Sequence, residues 1–139
     1  SGAPGSSLER LAAFGWNVGM AFQIVDDCLD LTGDPRRLGK SIHADMDKGA
    51  LSLPIIYLTQ TLSPRERQRL FGPLRSHAMS PSCLARVANV AKASGSIEKA
   101  LHRAEGFVLK AQASVRKVSL NGFAKTHDEL AQYVMTRQE

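Results

Sequence analysis

Three aspartates, Asp26, Asp27 and Asp30, and one glutamine, Gln23, interrupt the otherwise apolar stretch Gly19-Met20-Ala21-Phe22-Gln23-Ile24-Val25-Asp26-Asp27-Cys28-Leu29-Asp30. At about 100° of helix per residue, Asp26 and Asp30 are i and i+4, Asp27 and Asp30 are i and i+3, and Gln23 lies one turn earlier. All four polar groups can therefore share one helical edge. Gly33, Asp34 and Pro35 follow and mark the end of that helix. The carboxylates then stand in its last turns, where the macrodipole already carries negative partial charge. Like charges at these spacings repel as well. Such an edge calls for a cation. A hard divalent ion such as Mg2+, held by one or two carboxylates with water and phosphate oxygens, suits an oxygen-only ligand set. The plain alternative is a solvated acidic edge neutralised by Arg36, Arg37 or Lys40. A bare D-D-x-x-D does not choose between them.

The residues that follow carry more information. After the aspartates come Gly39-Lys40 and then Asp45-Met46-Asp47-Lys48-Gly49-Ala50-Leu51-Ser52-Leu53-Pro54. This stretch resembles the second aspartate-rich region of the trans-polyprenyl diphosphate synthases. That family's pattern runs G-x-x-F-Q-x-x-D-D-x-x-D, a short loop, G-K, and D-x-x-x-G-K-x-T-L-P. The spacing is kept from Gly19 to Pro54. Agreement is looser beyond it, in Gly95-Ser96-Ile97-Glu98-Lys99-Ala100 and Leu130-Ala131-Gln132-Tyr133-Val134. Two residues depart from the pattern. Ser52 replaces a usual threonine and keeps a hydroxyl, whereas Ala50 replaces a usual basic residue and removes one phosphate contact.

The resemblance implies an all-α antiparallel helix bundle, the C-terminal part of the isoprenoid synthase fold. It implies a Mg2+-dependent prenyltransferase of isoprenoid biosynthesis, joining an allylic diphosphate to isopentenyl diphosphate. By the same resemblance Asp26, Asp27, Asp30 and Asp45 are metal residues. Asp26, Asp27, Asp30 and Lys40 assist departure of the diphosphate, and Phe22, Gln23 and Lys40 meet substrate. The family's first aspartate-rich motif has no counterpart after Ser1, so the chain resembles a C-terminal half. It is expected to be inactive alone and to pair with itself or with an N-terminal half. The competing expectation is a non-catalytic subunit or truncated helical dimerisation domain. A terpene cyclase is a third reading within the same fold group, disfavoured by the F-Q-x-x-D-D-x-x-D arrangement and the loop after it.

Bulk properties agree with a globular chain. A length of 139 residues suggests one domain over 1–139, with 1–7 a loop or remnant. Apolar residues make up 43%, which is ordinary globular usage. The net charge of +5 is spread along the chain without an aromatic-interleaved basic patch, so no nucleic-acid partner is expected. No apolar run reaches the roughly 18 residues of a membrane span. Cys28 and Cys83 form no C-x-x-C and read as reduced thiols in a cytoplasmic protein. Cys28, on the far side of the helix from the acidic edge, reads as a packing residue.

Several helices must position the motif. Ser6 and Glu9 suggest a capping box for the first. Leu8, Leu11, Ala12, Gly15, Val18, Gly19, Phe22, Val25 and Leu29 follow a helical period, with tight helix packing the favoured reason for Gly15 and Gly19. Asp45 is a candidate N-cap for the second helix, in which Pro54 should produce a kink. Ser63-Pro64-Arg65-Glu66 opens a helix ending near Gly72-Pro73, and Ser80-Pro81-Ser82 opens another ending at Gly95. Ser96 opens a long one with Ile97, Ala100, Leu101, Ala104, Val108, Ala111 and Val115 on one stripe. Asn121-Gly122 reads as a turn, and Thr126 with Glu129 caps a last helix. Trp16 reads as core or interface, His43 as a loop residue, and His77, His102 and His127 as surface or helix-end residues.

Overall fold

The computed structural model describes residues 5–33, 51–75, 80–116, 129, 133, 134 and 136. The chain is all-α, and the described residues contain no strand. The helices are α1 (Gly5–Thr32), α2 (Leu53–Thr61), α3 (Pro64–Arg75), α4 (Pro81–Ala93) and α5 (Ser96–Val115). The chain divides into two compact units. One comprises Ser1–Val25 with His102–Glu139, the other Asp26–Leu101.

In the first unit, Phe14 of α1 is buried with Ala111 and Val115 of α5, and Leu11 and Val18 pack against this cluster. α1 is already helical at Gly5, so Ser6 lies inside the helix and does not cap it. The apolar period along α1 also divides. Ala21, Ile24, Val25, Cys28 and Leu31 are buried, whereas Leu8, Ala12, Gly15, Gly19 and Phe22 are exposed. Apolar residues lie on nearly every side of this helix, so spacing alone could not select the buried face. A side chain added at Gly15 or Gly19 would meet nothing within 4 Å, so neither glycine serves packing within the described chain. Trp16 is 70% exposed, which removes it from the core.

In the second unit, α4 packs against α2 and α3. Its core includes Ile55 and Leu58 of α2, Leu70 of α3, Leu84, Val87 and Ala91 of α4, and Ile97 and Ala100 of α5. Pro54 does not kink α2. The helix begins at Leu53, with extended Ser52 before it, and Pro54 occupies the first turn. Proline is tolerated there because its missing N–H would have no helical acceptor anyway. Ile56 N–H donates to the Ser52 carbonyl at 3.0 Å and closes the first turn.

α3 opens with the expected capping box. Ser63 N–H donates to Glu66 Oε2 at 2.8 Å, and Glu66 N–H donates to Ser63 Oγ at 3.4 Å. The expected end at Gly72-Pro73 is wrong: the helix carries Pro73 internally and runs to Arg75. Pro73 has no N–H to give the Arg69 carbonyl four residues earlier. Arg86 of α4 fills that role, its Nη2 donating to Arg69 O at 2.7 Å. A tertiary bond thus compensates the local break.

α4 and α5 begin as the sequence indicates. Ser80 Oγ accepts from Cys83 N–H at 3.3 Å, with Pro81 in the first turn. Gly95, at φ +71°, makes the left-handed turn between the helices. Ser96, only 1% exposed, donates its hydroxyl to the Ala91 carbonyl at 3.0 Å. On α5, Ile97, Ala100, Ala104, Val108, Ala111 and Val115 are all buried and Leu101 is half-buried.

Candidate diphosphate site

Asp26, Asp27 and Asp30 are half-buried in the last turns of α1, while Phe22 and Gln23 are exposed. Because α1 is unbroken from Gly5 to Thr32, the helical spacing inferred for these residues holds. Its end is defined locally. Gly33 N–H donates to Leu29 O at 2.8 Å, and a Cβ on Gly33 would come within 3.0 Å of that oxygen. The Thr32 hydroxyl lies 3.1 Å from Cys28 O and 3.2 Å from Leu29 O. No basic residue stands in the final turn of α1. The helix therefore brings three carboxylates to its negative end without a cation of its own there.

Cys28 is 3% exposed and turns into the core, as expected for a packing residue. Burial pushes its thiol from 9.0 up to about 12, and the nearby charges of Asp27 and Glu98 push it the same way. Glu98 thus joins the acidic surroundings of Cys28 from the first turn of α5. Sequence reading passed over Glu98 because an acid in a first helical turn is explained by the macrodipole. Both cysteines are free thiols. A buried, protonated thiol is a poor ligand, so the donors left at this helix end are carboxylate oxygens. Oxygen donors of this kind fit Mg2+ chemistry. Among the described residues, no three His, Cys, Asp or Glu side chains converge closely enough to hold a metal ion by themselves. Lys40 and Asp45 lie outside the described residues, as do Arg36, Arg37, His43, Ala50, His77 and His127.

The remaining candidates are peripheral. His102 Nδ1 pairs with Glu105 at 3.1 Å on the exposed face of α5, a surface role as expected. Lys99 Nζ sits 4.4 Å from the centre of the Tyr57 ring. Among the described residues, no helix is long and apolar enough to cross a membrane.

Comparison with known proteins adds a consistent picture. The chain is 35% identical over 115 residues to a geranylfarnesyl diphosphate synthase of Aeropyrum pernix, covering 82% of this chain and 35% of that protein. It is 31% identical over 137 residues to heptaprenyl diphosphate synthase component 2 of Geobacillus stearothermophilus, covering 99% of this chain and 42% of that protein. It is 30% identical over 142 residues to a (2E,6E)-farnesyl diphosphate synthase of Mycobacterium bovis, covering 99% of this chain and 40% of that protein. The chain therefore spans well under half the length of these relatives. No solved structure gives a significant match. The polyprenyl synthetase family model matches residues 1–91, a stretch that includes the whole aspartate motif and the loop after it, and the chain belongs to that family.

Proposed function

We propose that this chain supplies the second Mg2+-diphosphate subsite of a prenyltransferase that joins an allylic diphosphate to isopentenyl diphosphate. One observation carries the reading: Asp26, Asp27 and Asp30 stand half-buried at the negative end of α1, inside the family-matched segment, with no basic residue in that final turn. Energy is saved there only when positive charge is brought in from outside the helix. A metal-bound diphosphate does so.

The difficult step separates charge as the allylic carbon–oxygen bond breaks. The site must hold the departing diphosphate more tightly than the intact ester. Bound Mg2+ supplies Lewis-acid stabilisation of that leaving group. In this reading Asp26 and Asp30 are the first-choice direct or water-bridged metal residues, with Asp27 beside them and Asp45 in support. Gln23 orients a carboxylate or touches phosphate, Phe22 meets the substrate, and Lys40 adds fixed positive charge. The double bond of isopentenyl diphosphate attacks the allylic cation, and the resulting cation then gives a proton to the departed diphosphate.

The chain alone does not turn over in this reading, because carboxylates from a second, facing helix are needed to surround one diphosphate. It associates with a second copy or with an N-terminal half, and turnover in this reading needs the N-terminal half. One relative's name, component 2 of a heptaprenyl diphosphate synthase, supports assembly from more than one chain. A cytoplasmic setting accords with the two free thiols. Ala50, where the family pattern carries a basic residue, favours a second reading, a non-catalytic subunit. Incorporation of labelled isopentenyl diphosphate separates them. The chain alone should incorporate none. A paired assembly should incorporate it and lose that activity in Asp26→Ala/Asp30→Ala. An assembly whose activity ignores that variant would leave the non-catalytic reading standing.

A further inference from the structure

We propose that Arg69 and Arg86, on α3 and α4, form a binding site for a compact phosphate-type oxyanion that is not part of the aspartate motif. The two side chains line one open pocket of about 210 Å³, together with Leu62, Glu66, Leu70 and Val90. Arg86 is placed there by a structural necessity. Pro73 leaves the Arg69 carbonyl without a helical donor. Arg86 Nη2 answers it at 2.7 Å, which anchors one corner of the guanidinium and leaves its other N–H groups available.

The charges are unbalanced. Arg65 stands one helical turn before Arg69, so like charges repel along that face of α3. Among the described residues, none of Arg65, Arg69 and Arg86 takes part in an ion pair. The one acid on the rim is Glu66, whose Oε2 accepts the Ser63 N–H at 2.8 Å in the capping box. Its negative charge opposes an anion, but the two lining guanidiniums of Arg69 and Arg86 outweigh it. Leu62, Leu70 and Val90 form an apolar floor, which strengthens attraction between an arginine fork and a bound oxyanion. The size narrows the ligand. Pockets for drug-sized molecules hold roughly 300 Å³ or more. A volume of about 210 Å³ suits inorganic diphosphate or the phosphate headgroup of an acidic lipid.

The inference uses none of the aspartates, so it stands or falls apart from the prenyl-transfer reading. The test is binding of inorganic diphosphate to the full chain in EDTA, followed by calorimetry, with parallel flotation on phosphatidylglycerol and phosphatidylcholine vesicles. EDTA removes any contribution from metal held by carboxylates. R69Q keeps the backbone carbonyl that Arg86 caps, so α3 is left intact. R69Q/R86Q removes both forks, and circular dichroism checks that each variant is folded. The expected result is saturable binding that weakens at least about tenfold in R69Q and further in R69Q/R86Q, and is unchanged in D26A/D30A. Binding to free diphosphate assigns a soluble ligand. Binding only to phosphatidylglycerol vesicles, with the same arginine dependence, assigns a lipid headgroup. No binding of either probe, or binding that survives in folded R69Q/R86Q, overturns the proposal.

Discussion

α1 and α5, the two longest described helices at 28 and 20 residues, use their apolar residues in opposite ways. α5 buries one coherent stripe, Ile97, Ala100, Ala104, Val108, Ala111 and Val115. Its small residues permit close packing, and its charged residues Lys99, Arg103 and Lys110 stay exposed. α1 buries Phe14, Ala21, Ile24, Val25, Cys28 and Leu31, yet leaves Leu8 at 68% and Trp16 at 70% exposure. It also carries two exposed glycines, each costing a helix interior roughly 1 kcal/mol relative to alanine. Packing within the described chain explains the buried stripe of α5, although Leu109 on the same helix stays 65% exposed. It does not explain the open side of α1, nor the three acids at that helix's negative end. The difference lies in the acidic end of α1, which has no counterpart on α5 and no packing reason within the described residues.

That contrast can be broken by enlarging a small residue on each helix. Ala104→Leu adds three heavy atoms at a fully buried position, and should cost about 1–3 kcal/mol in urea unfolding. An unchanged midpoint would mean that the α5 stripe is not tightly packed. The thiols sharpen the same point from the buried side of α1. At pH 8, Cys28 should react with a maleimide about tenfold or more slowly than half-buried Cys83. Because burial raises the Cys28 thiol, the folded chain keeps its proton where the unfolded chain releases it. Its contribution to stability is therefore full below pH 9.0 and is lost as pH rises toward about 12. Equal reactivity of the two thiols would contradict the buried placement of Cys28.

Smaller effects concern helix ends and the open side of α1. Ser63→Ala should cost about 1 kcal/mol by removing the cap of α3. The Ser63 bonds hold the Glu66 carboxyl below its usual range. This stabilisation is present above the unfolded value and is lost as pH falls through the lower folded one, so the Ser63→Ala penalty should shrink in acid. A pH-independent penalty would show that the capping box is not formed in solution. Gly15→Ala and Gly19→Ala should each stabilise the isolated chain by about 0.5–1 kcal/mol, since nothing stands within 4 Å of the new methyl group. Destabilisation, read as a lower Tm, would reveal a neighbour on that face and erase the contrast with α5.

The sequence made helix starts legible where chemistry acts locally. Ser63 with Glu66, Ser80 with Pro81, and Gly95 before Ser96 each satisfy or redirect neighbouring backbone groups, and each appears as expected. The α5 stripe was legible because its small and apolar residues keep one period. Features set by tertiary contacts were not. The continuation of α3 through Pro73 depends on Arg86, thirteen residues further along. The buried face of α1 depends on which neighbours are present, since apolar residues surround that helix. Pro54 misled for a local reason: the expected helix start upstream would have placed it in an interior, whereas α2 starts one residue before it. For the site, the helix-end placement of Asp26, Asp27 and Asp30 was readable from spacing. Glu98 was hidden because its position already had a sufficient electrostatic reason.

The central claim is that the acidic end of α1 is a working metal-diphosphate subsite. The most direct measurement is calorimetric titration of this chain with farnesyl diphosphate in Mg2+ and in EDTA, alongside a folded Asp26→Ala/Asp30→Ala variant. The account predicts binding in Mg2+ that EDTA abolishes and that falls at least about 100-fold in the variant. Binding that persists in EDTA, or that is equally tight in the variant, would contradict it. So would no binding by a wild-type chain shown by circular dichroism to be helical and folded.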